Sequence, residues 1–361
     1  MRINLGNVLV IGAGGFIGSH AAEYYAMKGD HVIAVDNLSR QELLGRAGKI
    51  TYNWEYIKKC KNVDLRILDI TNLRKLVQVA RKADMIIHAA AQTAVTASIE
   101  NAYDDFKTNA LGTFNVLEAA RRSGSNPTMI YCSTNKVYGE NINKIRILEK
   151  PTRYEFDGEY SSGIPEDFPI DLTGHTPYGC SKLSGDIYFQ DYAHTYGLNT
   201  GVFRLSCIYG PRQFGVSDQG WLSWFTIATL TGRPITIYGD GKQVRDVLYV
   251  NDLVEAFDRF AKRSRNLRGE VFNLGGGPDN TLSLLELLDL LEEFTGKRSK
   301  CIYKPWRPSD QKVYVSNIGK ANKLLDWRPR TCPRDGVKAV VEWTNNNLHL
   351  FARRSRYLKV R

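Results

Sequence analysis

Residues 7–18 read Asn7-Val8-Leu9-Val10-Ile11-Gly12-Ala13-Gly14-Gly15-Phe16-Ile17-Gly18. A short apolar run, long enough for one strand, ends in a glycine-rich turn and opens a helical period that continues through Lys28. Glycines fall at 12, 15 and 18. That spacing lets the chain turn tightly, lets a pyrophosphate approach the backbone and lets a helix pack on a strand. The N-terminus of the helix then offers unpaired N–H groups and a favourable dipole to an anion. A second strand, His31 to Val35, ends at Asp36, which lies 21 residues after Gly15. A carboxylate at that place accepts hydrogen bonds from both ribose hydroxyls of NAD and repels the 2′-phosphate of NADP. Arg40 is close enough in sequence to keep NADP open as an alternative.

Outward from this unit, strands alternate with helical periods. Val63 to Leu68, Asp84 to His88, Thr128 to Cys132 and Thr200 to Leu205 read as strands. Leu73 to Arg81, Thr108 to Arg122 and Tyr178 to Tyr196 read as helices. The alternation predicts an α/β fold, a Rossmann-type doubly wound parallel sheet. The run from Gly139 to Pro177 holds four prolines and no clean period, and is expected to be a long, partly ordered loop beside the site. The C-terminal third mixes strands (Ile235 to Tyr238, Val271 to Leu274) with a helix from Ser283 to Thr295, where Leu284, Leu287, Leu288 and Leu291 repeat at helical spacing. A smaller mixed α/β unit is expected there.

The whole chain of 361 residues is 43% hydrophobic and 24% charged, which suits a globular protein and excludes global disorder. No apolar run approaches a membrane span, and Met1 to Gly15 lacks the cleavage pattern of a signal peptide. The six cysteines form no Cys-x-x-Cys pair, so neither zinc nor a disulfide framework is expected, no metal is assigned, and a reducing cytoplasm fits. The net charge is +11, of which five units come from the acid-free tail 352–361. The excess suits an anionic ligand such as a nucleotide diphosphate. The tail reads as solvated chain, and nucleic acid is not the expected partner.

Tyr178-Gly179-Cys180-Ser181-Lys182 puts a phenol and an amine four residues apart, on one helix face, with Pro177 suited to the first turn. An ammonium beside a phenol is expected to stabilise the phenolate and lower its pKa. Lys182 can also hold a nicotinamide ribose. The pair is equipped to take a proton from a sugar hydroxyl while its carbon gives hydride to NAD. Thr134, in Cys132-Ser133-Thr134-Asn135-Lys136-Val137-Tyr138-Gly139, stands at the carboxyl end of a strand, where ligands bind in such sheets.

With these motifs in order, the chain resembles the extended short-chain dehydrogenase/reductases, the NAD-dependent nucleotide-sugar epimerases and dehydratases. The resemblance rests on GAGGFIG, VDN at 35–37, LDI at 68–70, HAAA at 88–91, TNALGTFNVLEAA at 108–120, STNKVYG at 133–139, YGCSK at 178–182, RDVLYVNDL at 245–253 and RPSD at 307–310. It implies a catalytic triad of Thr134, Tyr178 and Lys182. It implies NAD contacts at Gly12, Gly15, Phe16, Ile17, Gly18, Asp36, Asn37, Ser39, Arg40, Asp69, Ile70, Ala89, Ala90, Ala91 and Ser133, shared with Tyr178 and Lys182. Asn109 matches the family's buried structural asparagine and is counted with the same group. A nucleotide-diphosphate sugar is expected against Thr134, Asn135, Lys136, Cys207, Gln219, Gly220, Tyr238, Arg245, Arg307 and Asp310, with Arg245 and Arg307 on the diphosphate.

The resemblance also implies a division of the chain. Residues 1–204 with 246–275 would bind NAD, residues 205–245 with 276–350 would bind the nucleotide sugar, and 351–361 would be a basic tail. Dehydratases of the family carry an Asp-Glu pair after the threonine as acid and base. Asn135 and Lys136 stand there, so elimination is disfavoured. STNKVYG, the insert before Tyr178, YGPRQFGVSDQGW at 209–221 and SDQKVYV at 309–315 resemble the CDP-paratose (CDP-tyvelose) 2-epimerase branch. Cys207 departs from the Ser or Asn usual near the sugar in that family. Two alternatives stay open: UDP-glucose/UDP-galactose 4-epimerisation, and a non-catalytic NAD-sensing or RNA-associated role. A homodimer or homotetramer, paired through the helices at 108–122 and 178–196, is the assembly implied.

Overall fold

Both faces of the strands that begin the chain are apolar, so each must be covered by helices on two sides. The computed structural model, which describes residues 6–39, 51–307 and 310–351, has that architecture. In chain order the strands are β1 (Asn7–Ile11), β2 (His31–Asp36), β3 (Val63–Ile67), β4 (Met85–His88), β5 (Thr128–Thr134), β6 (Ile147–Glu149), β7 (Tyr154–Phe156) and β8 (Asn199–Leu205). They continue with β9 (Cys207–Tyr209), β10 (Ile235–Tyr238), β11 (Val244–Tyr249), β12 (Glu270–Leu274), β13 (Thr281–Ser283), β14 (Cys301–Lys304) and β15 (Val313–Tyr314).

Seven strands form one parallel sheet in the order β12-β8-β5-β4-β1-β2-β3. Ile11 of β1 pairs with Val35 on one side and His88 on the other. The order reverses between β1 and β4, so the crevice at their carboxyl ends is the topological switch point where such sheets bind ligands. Alternate residues feed two cores. Val8, Val10, Val32, Ala34, Ile87, Ile130 and Phe203 pack under the helices Phe16–Lys28 and Val250–Ala261. Leu9, Ile11, Ile33, Val35, Ile86 and Tyr131 pack under Leu73–Ala80, Gly112–Ser123 and Thr176–Tyr196. Each fully buried Val, Leu, Ile or Phe adds about 1.5–3 kcal/mol of transfer free energy, the main term holding both layers to the sheet.

The remaining strands form smaller sheets: β13-β11-β15 with β9 on β11, the parallel pair β10-β14 and the antiparallel pair β6-β7. The helix expected from Ser283 spans Leu284–Thr295 and is closed by a capping box, Ser283 with Glu286, with Leu287 and Leu291 buried.

Two expectations change. Residues 139–177 are not a partly ordered loop. They carry the β6-β7 hairpin and short 3₁₀ turns. Ile142, Tyr154, Phe156, Ile164 and Phe168 join Val137, Tyr138, Val244, Val313, Tyr314 and Val315 in a core of their own. Those apolar residues obey no helical or strand period, because each is placed by the surface it lands on. The helix expected over 108–122 is also broken: Phe106–Leu111 is π-helical and the α-helix proper is Gly112–Ser123. π-bulges of this kind concentrate at functional sites.

Candidate active site

The glycine turn is built by steric necessity. Gly12 leaves β1 at φ +89°, and a Cβ there would lie 2.5 Å from the Ala90 nitrogen. A Cβ on Gly18 would lie 2.1 Å from the Gly12 carbonyl oxygen. Gly15 caps the helix Phe16–Lys28 in extended conformation. The second strand holds this turn, because Gly12 N–H and Ala13 N–H both donate to the Val35 carbonyl at 2.8 and 3.1 Å. Asp36 closes the crevice: its carboxylate accepts from Gly14 N–H at 2.9 Å and Leu38 N–H at 2.7 Å. Asn37 donates to Asp69 at 2.7 Å and takes the Ser39 N–H at 3.0 Å. Burial opposes ionisation of Asp69, but hydrogen bonds from Thr71 and Asn37 outweigh it and hold the carboxyl below its usual range. Ile70 packs in the core, where a Cβ on Gly112 would meet its Cδ1 at 2.4 Å. Ala89, Ala90 and Ala91 line the other side, half-buried, with Ala89 N–H on the Ile11 carbonyl at 2.8 Å. Phe16 is buried and Ile17 half-buried at the start of the helix. Arg40 lies outside the described residues. A close backbone cradle, a helix N-terminus and a carboxylate after the second strand are what a dinucleotide requires, so these residues fit NAD.

Asn109 sits in the π-helical turn. It accepts the Gln92 N–H at 2.9 Å, donates to the Gln92 carbonyl at 2.9 Å and donates to Asp105 at 3.0 Å. Its polar atoms are committed to the loop that follows Ala91, which makes it a positioning residue.

β5 delivers Ser133 and Thr134. The Ser133 hydroxyl donates to Asp186 at 2.7 Å. Thr134 ends the strand and its Oγ1 accepts the Lys136 N–H at 3.2 Å. Tyr178 and Lys182 come from the helix Thr176–Tyr196, with Pro177 in its first turn, and Tyr178 N–H is fixed on the Ser98 hydroxyl at 3.1 Å. Thr134 and the Tyr178 phenol are hydrogen-bonded. Lys182 Nζ donates to the Cys132 carbonyl at 2.7 Å and lies 4.2 Å from the centre of the Tyr131 ring. The phenol is raised rather than lowered, contrary to the expectation from sequence. Burial dominates and pushes Tyr178 up to about 12, with the Thr134 hydrogen bond opposing and the Asp105 charge adding to the rise. Burial also pulls Lys182 down to about 8, against the pull of Cys132, Asp186 and Asp105.

On the other side of Thr134, Lys136 Nζ donates to Gln311 Oε1 at 3.2 Å. Burial and then the Arg245 charge pull its ammonium down to about 8. Arg245 is paired with Asp310 at 3.1 Å. Cys207 accepts from Trp221 Nε1 at 3.3 Å, and burial pushes its thiol up, as suits a small packed residue rather than a nucleophile. Asn135 is buried and takes the Thr134 hydroxyl at 3.3 Å. Gln219 and Gly220 form the turn into the helix Trp221–Thr231, with Gly220 at φ +73°. Arg307 stacks 3.9 Å above the Tyr238 ring and pairs with Asp218 at 3.1 Å.

Residues 8–275 match the NAD dependent epimerase/dehydratase family. The chain belongs to that family. It is an NAD-dependent enzyme. This family member is 39% identical over 346 residues to CDP-paratose 2-epimerase of Salmonella typhi, covering 94% of this chain and 99% of that protein. It is 31% identical over 354 residues to UDP-glucuronate 4-epimerase of Thermodesulfobacterium geofontis, covering 96% and 98%. Among solved structures it is similar to UDP-glucose 4-epimerase of Thermotoga maritima with UDP-glucose, at TM-score 0.77 and 30% identity over 95% of this chain and 99% of that one. It is also similar to UDP-glucuronic acid 4-epimerase of Bacillus cereus with UDP-glucuronic acid and NAD, at TM-score 0.80 and 27% identity over 94% and 99%.

Sequence reasoning passed over two buried carboxylates whose charges raise this family member's Lys182 ammonium. Asp186 holds Ser133 and is paired with Arg204 through two hydrogen bonds, at 3.0 and 3.1 Å. Asp105 takes the Ser181 hydroxyl at 2.5 Å. Asp186 follows Lys182 by four residues, and Asp105 precedes Asn109 by four. That helical spacing was the available signal. All six cysteines are free, and no group of residues that could hold a metal occurs among the described residues. No helix there is long and apolar enough to cross a membrane.

Proposed function

We propose that this enzyme inverts C2 of a CDP-linked deoxy sugar, as a CDP-paratose/CDP-tyvelose 2-epimerase, through a transient 2-keto sugar. The observation that carries the reading is the turn after Thr134. Asn135 is bonded to that threonine and Lys136 reaches Gln311, so no carboxylate stands where an elimination would need its acid and base. The similarity to the Salmonella typhi protein supports the choice of sugar.

NAD, when bound, supplies a reversible acceptor for hydride. Gly12, Gly15, Gly18, Asp36 and Ala89–Ala91 would hold it, and Lys182 would orient its nicotinamide ribose. In its phenolate form Tyr178 would take the proton from the C2 hydroxyl at Oη as that carbon is oxidised, with Thr134 Oγ1 bonded to the same oxygen. The proton returns from Tyr178 when the opposite face is reduced. Arg245 and Arg307 hold the diphosphate throughout, exchanging Asp310 and Asp218 for phosphate oxygens, so the keto sugar turns without leaving. Residues 1–204 with 246–275 would carry NAD, and 205–245 with 276–350 the nucleotide sugar.

The assembly we propose is a homodimer or homotetramer in the cytoplasm. Ile99, Tyr103 and Phe106 are 58, 74 and 58% exposed, and Ile187 on the triad helix is 50% exposed, leaving an apolar face for a second copy. The product class would serve lipopolysaccharide synthesis. Incubation with CDP-paratose, with products read by NMR, tests the reaction. A C2-inverted sugar is expected, and inversion at C4 of UDP-glucose instead would refute it.

A further inference from the structure

We propose that Lys136 binds the anomeric oxygen and inner phosphate of the substrate, and thereby sets C2 rather than C4 over Tyr178. The inference rests on the C2 reading above and deepens it. Lys136 is fixed to the reacting end of the site, since its own N–H is bonded to Thr134 Oγ1 at 3.2 Å. Its Nζ reaches Gln311 Oε1 at 3.2 Å, and Gln311 is 1% exposed. The next residue back, Asp310, is the partner of Arg245. Two cations, one carboxylate and one neutral amide therefore converge. Among the described residues Arg245 has a carboxylate within ion-pair distance and Lys136 has none.

Two cations share one carboxylate beside a half-buried lysine, so one positive charge remains in excess, an arrangement that favours an anion at that place. The depressed ammonium of Lys136, opposed by Arg245, agrees with this. The chemistry of the substrate fixes what the anion is. In a nucleotide sugar, C2 is bonded to the anomeric carbon that bears the diphosphate, whereas C4 lies across the ring. A cation two residues from Thr134 meets the inner phosphate when the reacting carbon adjoins the anomeric one. With C4 over Tyr178, the diphosphate would lie on the far side and Lys136 would face neutral hydroxyls. A compact ammonium on a flexible stem suits the shared oxygens of that junction better than a planar guanidinium would.

The test uses the full-length, NAD-loaded protein and its Lys136→Met and Lys136→Arg variants. CDP and cytidine binding are measured by calorimetry, and CDP-paratose turnover is measured in parallel. Lys136→Met is expected to weaken CDP by at least about tenfold and raise KM for CDP-paratose by at least about tenfold, with cytidine unmoved. Lys136→Arg should recover most of the CDP affinity if it is the charge that matters. NAD content and Tm equal to wild type identify folded variants. CDP affinity and KM within about twofold of wild type in Lys136→Met, while wild type inverts C2, would overturn the role of Lys136 alone. Inversion at C4 by wild type would overturn both readings.

Discussion

The Ser181 hydroxyl donates to Asp105 Oδ2 at 2.5 Å, and this bond ties the helix of Tyr178 and Lys182 to the π-helical turn of Asn109. Asp105 is 1% exposed, so its charge acts across a low-dielectric interior. It raises both the Tyr178 phenol and the Lys182 ammonium. Besides Asp105, Lys182 faces Cys132 and Tyr131 on β5, His88 on β4, and Asp186 on its own helix.

Replacing that carboxylate moves both groups in the same direction. Asp105→Asn removes a negative charge, so Tyr178 and Lys182 titrate lower. The whole pH–kcat profile should shift towards acid by roughly one unit. A purely structural loss would lower the profile without moving it. The pH dependence of kcat for the purified variant decides between the two.

Tyr178→Phe removes the atom assigned to take the proton while leaving the glycine turn and Asp36 intact. Turnover should fall by roughly a hundred- to ten-thousand-fold. NAD content per chain, measured after denaturation, should stay within error of wild type. Normal turnover would remove Tyr178 from the mechanism.

The glycine turn separates steric need from backbone freedom. A Cβ at Gly18 meets the Gly12 carbonyl at 2.1 Å, whereas Gly29, at φ +95°, has nothing within 4 Å. Gly18→Ala should cost about 1–3 kcal/mol by overpacking and deplete bound NAD. Gly29→Ala should cost about 1–2 kcal/mol through strain at positive φ and leave NAD content unchanged. Denaturant midpoints and cofactor content check both.

Two buried histidines give stability a defined acid limb. Burial, and then Arg212, pulls His20 down to about 3, and burial with Lys182 does the same to His88. Both groups stay neutral in the fold but titrate near 6.5 once unfolded. The unfolded chain therefore binds more protons below pH 6.5, and stability is lost as pH falls from 6.5 towards 3. The slope is at most about 3 kcal/mol per pH unit for the pair. Denaturation at pH 7.5, 6 and 5 measures it, and His20→Asn should roughly halve it.

The sheet was legible because its strands obey simple rules. NVLVI and HVIAV are apolar on both faces, and the glycines at 12, 15 and 18 leave little choice of turn. Tyr178 and Lys182 were legible from helical spacing, and Thr134 from its place at the end of a strand. The segment 139–177 was not, because Tyr154 and Phe156 share their core with Val244, Val313, Tyr314 and Val315, far along the chain. Nor could spacing show which way Lys182 turns. It places Lys182 on the Tyr178 face, but the Cys132 carbonyl and Tyr131 ring that hold the ammonium are set by β5.

The most direct test of the central claim is the position of inversion. The purified protein, with no cofactor added, is incubated with CDP-paratose in deuterated buffer, and the sugar product is identified by NMR. The account predicts the C2 epimer, CDP-tyvelose, formed by NAD that copurifies and without deuterium entering carbon, since hydride returns to the carbon it left. Inversion of UDP-glucose at C4 with CDP-paratose untouched, or deuterium at C2, would contradict it.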